Sequence, residues 1–246
     1  MALPLALLRR CGKTVLLNMA LAGLGRDGVP KRALIEKRPW LVASLVAGVS
    51  YWLAAKGQVP GLWLIIWKGA GVALLAAYAW AHHPSRNARL LALVMALGAM
   101  GDMLLELFFT AGAVAFFTGH MAAIALYFGH RRAHLASSQK AAAVTTLIGV
   151  PLIGWQLTSA PEVALYALGL AGMAAAAWLS NFPRYRVGIG AMMFVASDLL
   201  IFARMGPLAG SALPGLLIWP LYYFGQFLIC TGVIATLRKR GEFDAG

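Results

Sequence analysis

Acidic residues are scarce in this chain. It has 8 Asp and Glu among 246 residues, and charged residues of all kinds make up 12%, whereas soluble domains typically carry about 25%. Cysteine is also rare, and Cys11 and Cys230 lie too far apart to suggest a disulfide framework or a metal-ligand spacing. Apolar residues make up 61% and recur in long runs. The composition therefore disfavours a soluble protein and indicates an integral membrane protein.

The apolar runs predict an all-α bundle of eight transmembrane helices. Their predicted limits are 40–55, 60–80, 88–109, 112–130, 141–158, 162–180, 186–205 and 213–237. Pro or Gly residues, such as Gly112 and Pro161, mark most of the joins. We therefore expect a transmembrane domain over 40–237, preceded by a basic segment, 1–39, and followed by a basic cytoplasmic tail, 238–246.

The N-terminal segment 1–39 contains an apolar stretch, 14–24, that is too short to span a bilayer, because a transmembrane helix needs about 20 residues. We interpret this segment as cytoplasmic or interfacial and amphipathic. A cleaved signal peptide is the alternative, although no clear small-residue cleavage site follows a long apolar core.

Basic residues are distributed unevenly between the two sides of the predicted bundle. One side has only Lys56 and Arg204, Lys68 lies within a span, and all the other Lys and Arg residues fall on the opposite side. Because basic loops face the cytoplasm, we expect both termini there, and a bacterial chain of this kind in the inner membrane. Short clusters such as Arg131-Arg132 are typical of contact with lipid headgroups, so we expect membrane lipids and no nucleic acid as partners.

Polar side chains within the predicted spans are few. They are Lys68, Asp102, Glu106, His120, Asp198 and Gln226. An uncompensated charge in hydrocarbon costs at least ~2.5–3.5 kcal/mol, so these residues should face the bundle interior. Counting 1.5 Å per residue from the span ends places Lys68, Asp102, His120 and Asp198 in one layer, between the midplane and the non-cytoplasmic side. Glu106 shares a helix face with Asp102, one turn further out.

Two parts of the chain share an order of residue types. The first part reads Gly101-Asp102 and then Phe116-Phe117-Thr118-Gly119-His120, and the second reads Ser197-Asp198 and then Tyr222-Tyr223-Phe224-Gly225-Gln226. The two parts lie four predicted helices apart, so corresponding helices run in the same direction. The pattern indicates a parallel internal duplication that places both aspartates around one cavity, with chance similarity as the alternative.

Each of these residues also has a purely structural interpretation. The aspartates could join helices as inert hydrogen-bonded groups, and Lys68 could extend to the membrane surface or act as a counter-ion. Tyr222, Tyr223 and Gln226 could simply pack between helices. We do not expect a zinc site at His120, since such a site usually takes three protein ligands and the other histidines lie near the cytoplasmic span ends.

At these positions the chain resembles the lysoplasmalogenase (YhhN-like) family of membrane proteins. The resemblance rests on the runs Gly101 to Leu105, Phe116 to His120, Phe194 to Leu199 and Tyr223 to Gln226, and covers about 40–237. Lys68 matches the lysine in the second span of the family, although Gly69 stands where the family usually has proline.

This resemblance implies an ether hydrolase that cleaves the vinyl ether bond of lysoplasmalogens. The products would be a fatty aldehyde and glycerophosphocholine or glycerophosphoethanolamine. A vinyl ether is cleaved by protonation on carbon followed by addition of water, which calls for one protonated and one ionised carboxyl, as in glycoside hydrolysis. Asp102 and Asp198 are the expected pair, and no metal or organic cofactor is required.

The remaining residues have expected supporting roles at the same site. Lys68 would adjust one aspartate or bind the substrate phosphate, Glu106 would help to bind or orient the substrate, and His120, Tyr223 and Gln226 would orient water or the glycerol oxygens. The main alternative function is a proton-coupled transporter or lipid-handling protein that uses the same buried groups, and a structural membrane protein is a third. The sequence leaves the preferred headgroup and the oligomeric state open.

Overall fold

A computed structural model describes residues 38–55, 57, 61–82 and 85–240. This part of the chain folds into eight α-helices, which are α1 (Arg38–Ala54), α2 (Gly61–His82), α3 (Arg86–Leu107), α4 (Phe109–Phe128), α5 (Ser137–Thr158), α6 (Pro161–Leu179), α7 (Ile189–Met205) and α8 (Leu213–Lys239). The predicted all-α bundle is confirmed. The predictions for residues 1–37 of the N-terminal segment and 241–246 of the tail fall outside the described residues.

The helices are long and apolar enough for a multi-pass membrane protein. Seven reach the length and hydropathy of a membrane span, namely α2 to α6, α8, and α7 together with the π-helical turn Arg184–Gly188 that leads into it, whereas α1 has only 17 residues. At 1.5 Å per residue, α1 is somewhat shorter than the ~30 Å hydrocarbon core. Large apolar side chains such as Val46, Trp63 and Leu152 are exposed on the outside of the bundle, where lipid rather than water is the compatible solvent.

The break between α3 and α4 lies four residues before the predicted join at Gly112. Phe108 alone separates the two helices, in an extended conformation with φ −144° and ψ 96°. Gly112 lies inside α4, and a Cβ atom there would sit 2.5 Å from the backbone nitrogen of Leu105. The glycine therefore permits close approach of the two helix ends instead of ending a helix.

A proline inside α8 helps to attach the short helix α1. Pro220 has no N–H to donate to the carbonyl oxygen of Leu216, four residues earlier. The indole Nε1 of Trp52, near the C-terminal end of α1, donates to that oxygen at 3.2 Å. The contact satisfies an acceptor that would otherwise be costly in an apolar environment.

Two pairs of helices pack through equivalent positions. In α7–α8, a Cβ on Gly225 would lie 2.7 Å from the carbonyl oxygen of Gly190, and in α3–α4, one on Gly119 would lie 3.8 Å from that of Val94. Gly190 and Val94 each lie eight residues before the aspartate of their own helix. Gly225 and Gly119 each immediately precede the polar residue that ends the repeated pattern, which is Gln226 or His120. The packing supports the predicted parallel duplication.

The two ends of the bundle differ in charge. Hydrogen bonds at one end join the α4–α5 connection to the α6–α7 connection: Arg132 Nε donates to the Ser180 carbonyl at 2.6 Å, and the Asn181 N–H donates to the His130 carbonyl at 2.6 Å. The described basic residues at that end are Arg38, Arg86, Arg89, Arg131, Arg132, Lys140, Arg184, Arg186, Arg238, Lys239 and Arg240. Among the described residues near the opposite helix ends, Arg204 and Lys68 are the basic ones.

Candidate functional site

A cavity of about 520 Å³ lies between α2, α3, α4, α6, α7 and α8. It is at the end of the bundle with few basic residues, where α3 and α7 end and α4, α6 and α8 begin. Its walls are mainly apolar and aromatic. The ionisable side chains that line it are Lys68, Asp102, Glu162 and Asp198, together with Tyr166 and Tyr222. An apolar pocket with a few convergent polar groups is typical of a ligand-binding site.

Asp102 lies at the inner wall of the cavity, with 2% of its surface exposed. The hydroxyl of Tyr222 donates to its Oδ2 atom at 2.8 Å, and the buried Gln226 side chain lies close to that hydroxyl. These groups pack against Gly98, where a Cβ would lie 3.0 Å from Gln226 Nε2 and 3.2 Å from the Tyr222 hydroxyl oxygen. The glycine makes room for this polar chain.

Asp198 occupies the corresponding position on α7, with 4% of its surface exposed. The hydroxyl of Tyr166 on α6 donates to its Oδ2 atom at 2.8 Å. The Nε2 atom of His120 lies 3.3 Å from the same hydroxyl oxygen. The rings of His120 and Tyr166 meet edge to face, with centroids 5.6 Å apart. Each buried aspartate thus accepts a hydrogen bond from a tyrosine that also lines the cavity.

Lys68 and Glu106 form an ion pair between α2 and α3. The distance between Lys68 Nζ and Glu106 Oε1 is 2.5 Å, and the side chains are 16% and 46% exposed, respectively. Lys68 lines the cavity and interacts electrostatically with Asp102, which lies one helical turn before Glu106. The pair therefore places one cation and one further carboxylate beside one of the two aspartates.

The predicted site residues fall into three groups: those at the cavity, those buried behind its lining, and Tyr223, which lies elsewhere. Asp102, Asp198 and Lys68 line one cavity, and Glu106 binds Lys68 from beside it. His120 and Gln226 are buried behind Tyr166 and Tyr222 and are not among the lining residues. His120 reaches Asp198 through the Tyr166 hydroxyl, and Gln226 lies close to the Tyr222 hydroxyl.

Tyr223 lies in the interface between α1, α2 and α8, outside the cavity. Its hydroxyl is 2.9 Å from the Oγ atom of Ser44, and Ser44 donates its own proton to the carbonyl oxygen of Gly71 at 2.6 Å. The Tyr223 ring fills the space beside Gly48, where a Cβ would lie 2.4 Å from it. The geometry gives Tyr223 a packing role, and Tyr222 is the tyrosine that contacts Asp102.

The sequence analysis missed two residues that line the cavity, Tyr166 and Glu162. Both lie on α6, which is otherwise almost entirely apolar. They are four residues apart and therefore on one face of the helix. A tyrosine costs little in an apolar span, so its presence there attracts less attention than a charge. The signal available was that Tyr166 is the sole hydroxyl within α6.

Comparison with known proteins agrees with the resemblance seen in the sequence. The model of the YhhN family matches residues 63–233, a range that contains every predicted site residue. Two relatives, from Mycobacterium bovis and Mycobacterium tuberculosis, are both named lysoplasmalogenase. Each is 30% identical over 217 residues, covering 78% of this chain and 82% of the relative. No solved structure gives a significant match. With a family match over most of its length, the chain belongs to the YhhN family.

Proposed function

We propose that this protein is a membrane-embedded ether hydrolase acting on lysoplasmalogens. It cleaves the vinyl ether bond and releases a fatty aldehyde and glycerophosphocholine or glycerophosphoethanolamine. The names of the two relatives support this reaction class. The observation that carries the proposal is the pair of buried carboxyl groups, Asp102 and Asp198, in the wall of one largely apolar cavity.

The reaction needs an acid and a base in the same cavity. The acid delivers a proton to the vinyl carbon remote from the ether oxygen, and the π electrons of the double bond form the new C–H bond. The resulting oxocarbenium ion is trapped by water, which loses a proton to the second carboxylate. The hemiacetal then collapses: its hydroxyl returns a proton to the first carboxylate, its bond to the glycerol oxygen breaks, and that oxygen takes the proton held by the second carboxyl. The aldehyde leaves with both carboxyl groups restored. The net consumption is one water molecule.

The two aspartates divide the acid and base roles between them. The Lys68 ammonium acts electrostatically on Asp102, but the Glu106 carboxylate paired with that ammonium acts in the opposite sense. Either aspartate can therefore hold the proton while the other is the carboxylate that activates water. The ionised member of the pair also stabilises the oxocarbenium ion.

The cavity is suited to a lipid that enters from the bilayer. Four apolar side chains that line it are also exposed on the outer surface of the bundle, namely Phe109, Val114, Leu165 and Met205. The cavity therefore opens onto a surface that faces lipid, and the alkenyl chain can pass between helices without crossing water. Lys68 lines the cavity toward the end of the bundle, and we propose that it binds the substrate phosphate.

The charge distribution supports an orientation for the site. With both termini in the cytoplasm, the arginine-rich end of the bundle faces the cytoplasm. The cavity then lies toward the non-cytoplasmic side, and glycerophosphocholine or glycerophosphoethanolamine is released on that side. We propose this topology for the protein in its native membrane.

Assays of purified protein test the proposed reaction. In detergent, alkenyl lysophospholipids should yield aldehyde, whereas the matched alkyl and acyl lysophospholipids should not, because only the vinyl ether is protonated on carbon. Asp102→Asn and Asp198→Asn should each lower aldehyde release by about 10²–10⁴-fold, the range lost with a general acid or base. Full activity in either variant contradicts the assignment. Lipid movement that requires sealed vesicles, without aldehyde release, would favour the transporter.

A further inference from the structure

Each buried aspartate is backed by two further side chains. Tyr222 donates to Asp102 with Gln226 packed close to the tyrosine hydroxyl, and a chain of contacts runs from His120 through Tyr166 to Asp198. Gln226 and His120 end the repeated sequence pattern in the two halves of the chain, so they are equivalent by position. The tyrosines come from non-equivalent helices, α8 and α6. The two halves therefore build the same arrangement with different residues.

The direction of the hydrogen bonds follows from the number of protons available. A tyrosine hydroxyl has one proton, and Tyr166 donates it to Oδ2 of Asp198 at 2.8 Å. The contact between His120 Nε2 and the same hydroxyl, at 3.3 Å, must then be donated by an Nε2–H of His120. His120 thereby fixes the rotation of the hydroxyl and directs its proton toward the aspartate.

His120 has no direct route to a ligand in the cavity. It is 2% exposed, and its ring packs edge to face on Phe194 and Tyr166, with centroid distances of 5.1 and 5.6 Å. It does not line the cavity, whereas Tyr166 and Asp198 do. Any effect of His120 on chemistry in the cavity must therefore pass through Tyr166.

We propose that Tyr166 and His120 are positioning residues for Asp198, a role that rests on the proposed vinyl ether hydrolysis. Tyr166 occupies Oδ2, so Oδ1 is the oxygen that Asp198 presents to the substrate or water, and it is held in one direction. His120 acts only by orienting the Tyr166 hydroxyl. It neither contacts the substrate nor needs to change its protonation state during turnover.

A double-mutant cycle tests this dependence. Tyr166→Phe should lower kcat by about 10²-fold, the scale expected when a reacting group is misplaced, with little change in KM. His120→Ala should lower kcat on the order of tenfold, as is typical when an outer partner of a functional group is removed. The double variant should be no slower than Tyr166→Phe alone. If the two losses multiply, His120 acts independently of Tyr166 and the proposal is wrong.

Substitution by glutamine separates orientation from proton transfer. His120→Gln keeps an N–H donor of similar reach, and Gln226 already fills the equivalent place in the other half. We expect His120→Gln to recover most of the kcat lost in His120→Ala. A His120→Gln variant as slow as His120→Ala would mean that the imidazole must titrate, which overturns the positioning role.

Two controls make the outcomes distinguishable. Tyr127→Phe removes a buried hydroxyl from the same helix as His120, away from the cavity, and should leave kcat unchanged. A parallel loss in Tyr127→Phe would indicate a general packing effect and contradict the proposal. Failure of the wild-type protein to release aldehyde would reject the proposed function itself, whereas an active wild type with independent losses rejects only the positioning role.

Discussion

The hydroxyl of Tyr222 donates a hydrogen bond to the Oδ2 atom of Asp102 at 2.8 Å, and both residues are buried. The next residue in the chain, Tyr223, directs its hydroxyl to Ser44 Oγ at 2.9 Å, on another side of α8. Successive residues of an α-helix are about 100° apart around its axis. Two adjacent tyrosines therefore serve different interfaces, one at the candidate site and the other between helices.

This difference predicts opposite results for two matched substitutions. Tyr222→Phe should lower kcat for aldehyde release by roughly 10²-fold, because Asp102 loses the donor that holds it. Tyr223→Phe should leave kcat within a few-fold of wild type and lower the free energy of unfolding by about 1 kcal/mol, the usual loss for one hydrogen bond. Steady-state kinetics and thermal unfolding in detergent measure the two effects. Equal kinetic losses in both variants would contradict the distinction.

The ion pair between Lys68 and Glu106 leads to a prediction about the substrate phosphate. Lys68→Met should raise KM for lysoplasmalogen by about tenfold, since a partly exposed charge contact is lost. It should not raise KM for an alkenyl glycerol without phosphate. With both substrates kcat should fall, because Asp102 loses its neighbouring cation.

Arg204 provides the control for the Lys68 experiment. It lies at the same end of the bundle, in the last turn of α7, and does not line the cavity. Arg204→Met should therefore leave both kinetic constants unchanged. If Lys68→Met changes KM equally for substrates with and without phosphate, Lys68 does not bind the phosphate.

Sequence reasoning located the aspartates but not their partners. Asp102 and Asp198 could be found because a carboxyl in an apolar span is expensive and few such residues occur. Tyr166 carries no charge and sits in an apolar helix without such a cost, so it was overlooked. The choice between Tyr222 and Tyr223 depends on helix rotation, which the repeated aromatic pair does not determine. The predicted helix break at Gly112 was wrong for a similar reason. The break is at Phe108, and Gly112 lies inside α4, where its missing Cβ lets α3 and α4 approach closely.

Gly98 gives a test of the spacing behind Asp102. A Cβ there would lie 3.0 Å from Gln226 Nε2 and 3.2 Å from the Tyr222 hydroxyl oxygen, so these groups must shift by a few tenths of an ångström. Gly98→Ala should lower kcat by about tenfold through displacement of Tyr222. Gly149→Ala on α5, which would meet nothing within 4 Å, should have no effect. Unchanged kinetics in Gly98→Ala would mean that the Tyr222 geometry is not required.

The proposed topology can be checked by cysteine labelling in spheroplasts. In a background with Cys11→Ser and Cys230→Ser, Ala209→Cys should react with an impermeant maleimide, since it is exposed at the end that holds the cavity. Ser138→Cys, exposed at the arginine-rich end, should react only after permeabilisation. The reverse order of labelling would place the termini outside the cytoplasm.

Carbon protonation predicts a specific isotope pattern in the products. In D₂O the exchangeable proton of the aspartic acid that protonates the substrate is replaced by deuterium, so each aldehyde should carry one deuterium on the carbon next to its carbonyl group. The glycerophospho-alcohol should gain none on carbon, and kcat should fall because a bond to deuterium breaks in the protonation step. The aldehyde must be reduced to an alcohol as it forms, since later enolisation exchanges the same hydrogens. A preformed aldehyde taken through the same procedure measures that exchange. Aldehyde without deuterium above this background would show that cleavage does not begin with protonation of carbon, and would remove the need for a carboxylic acid in the cavity.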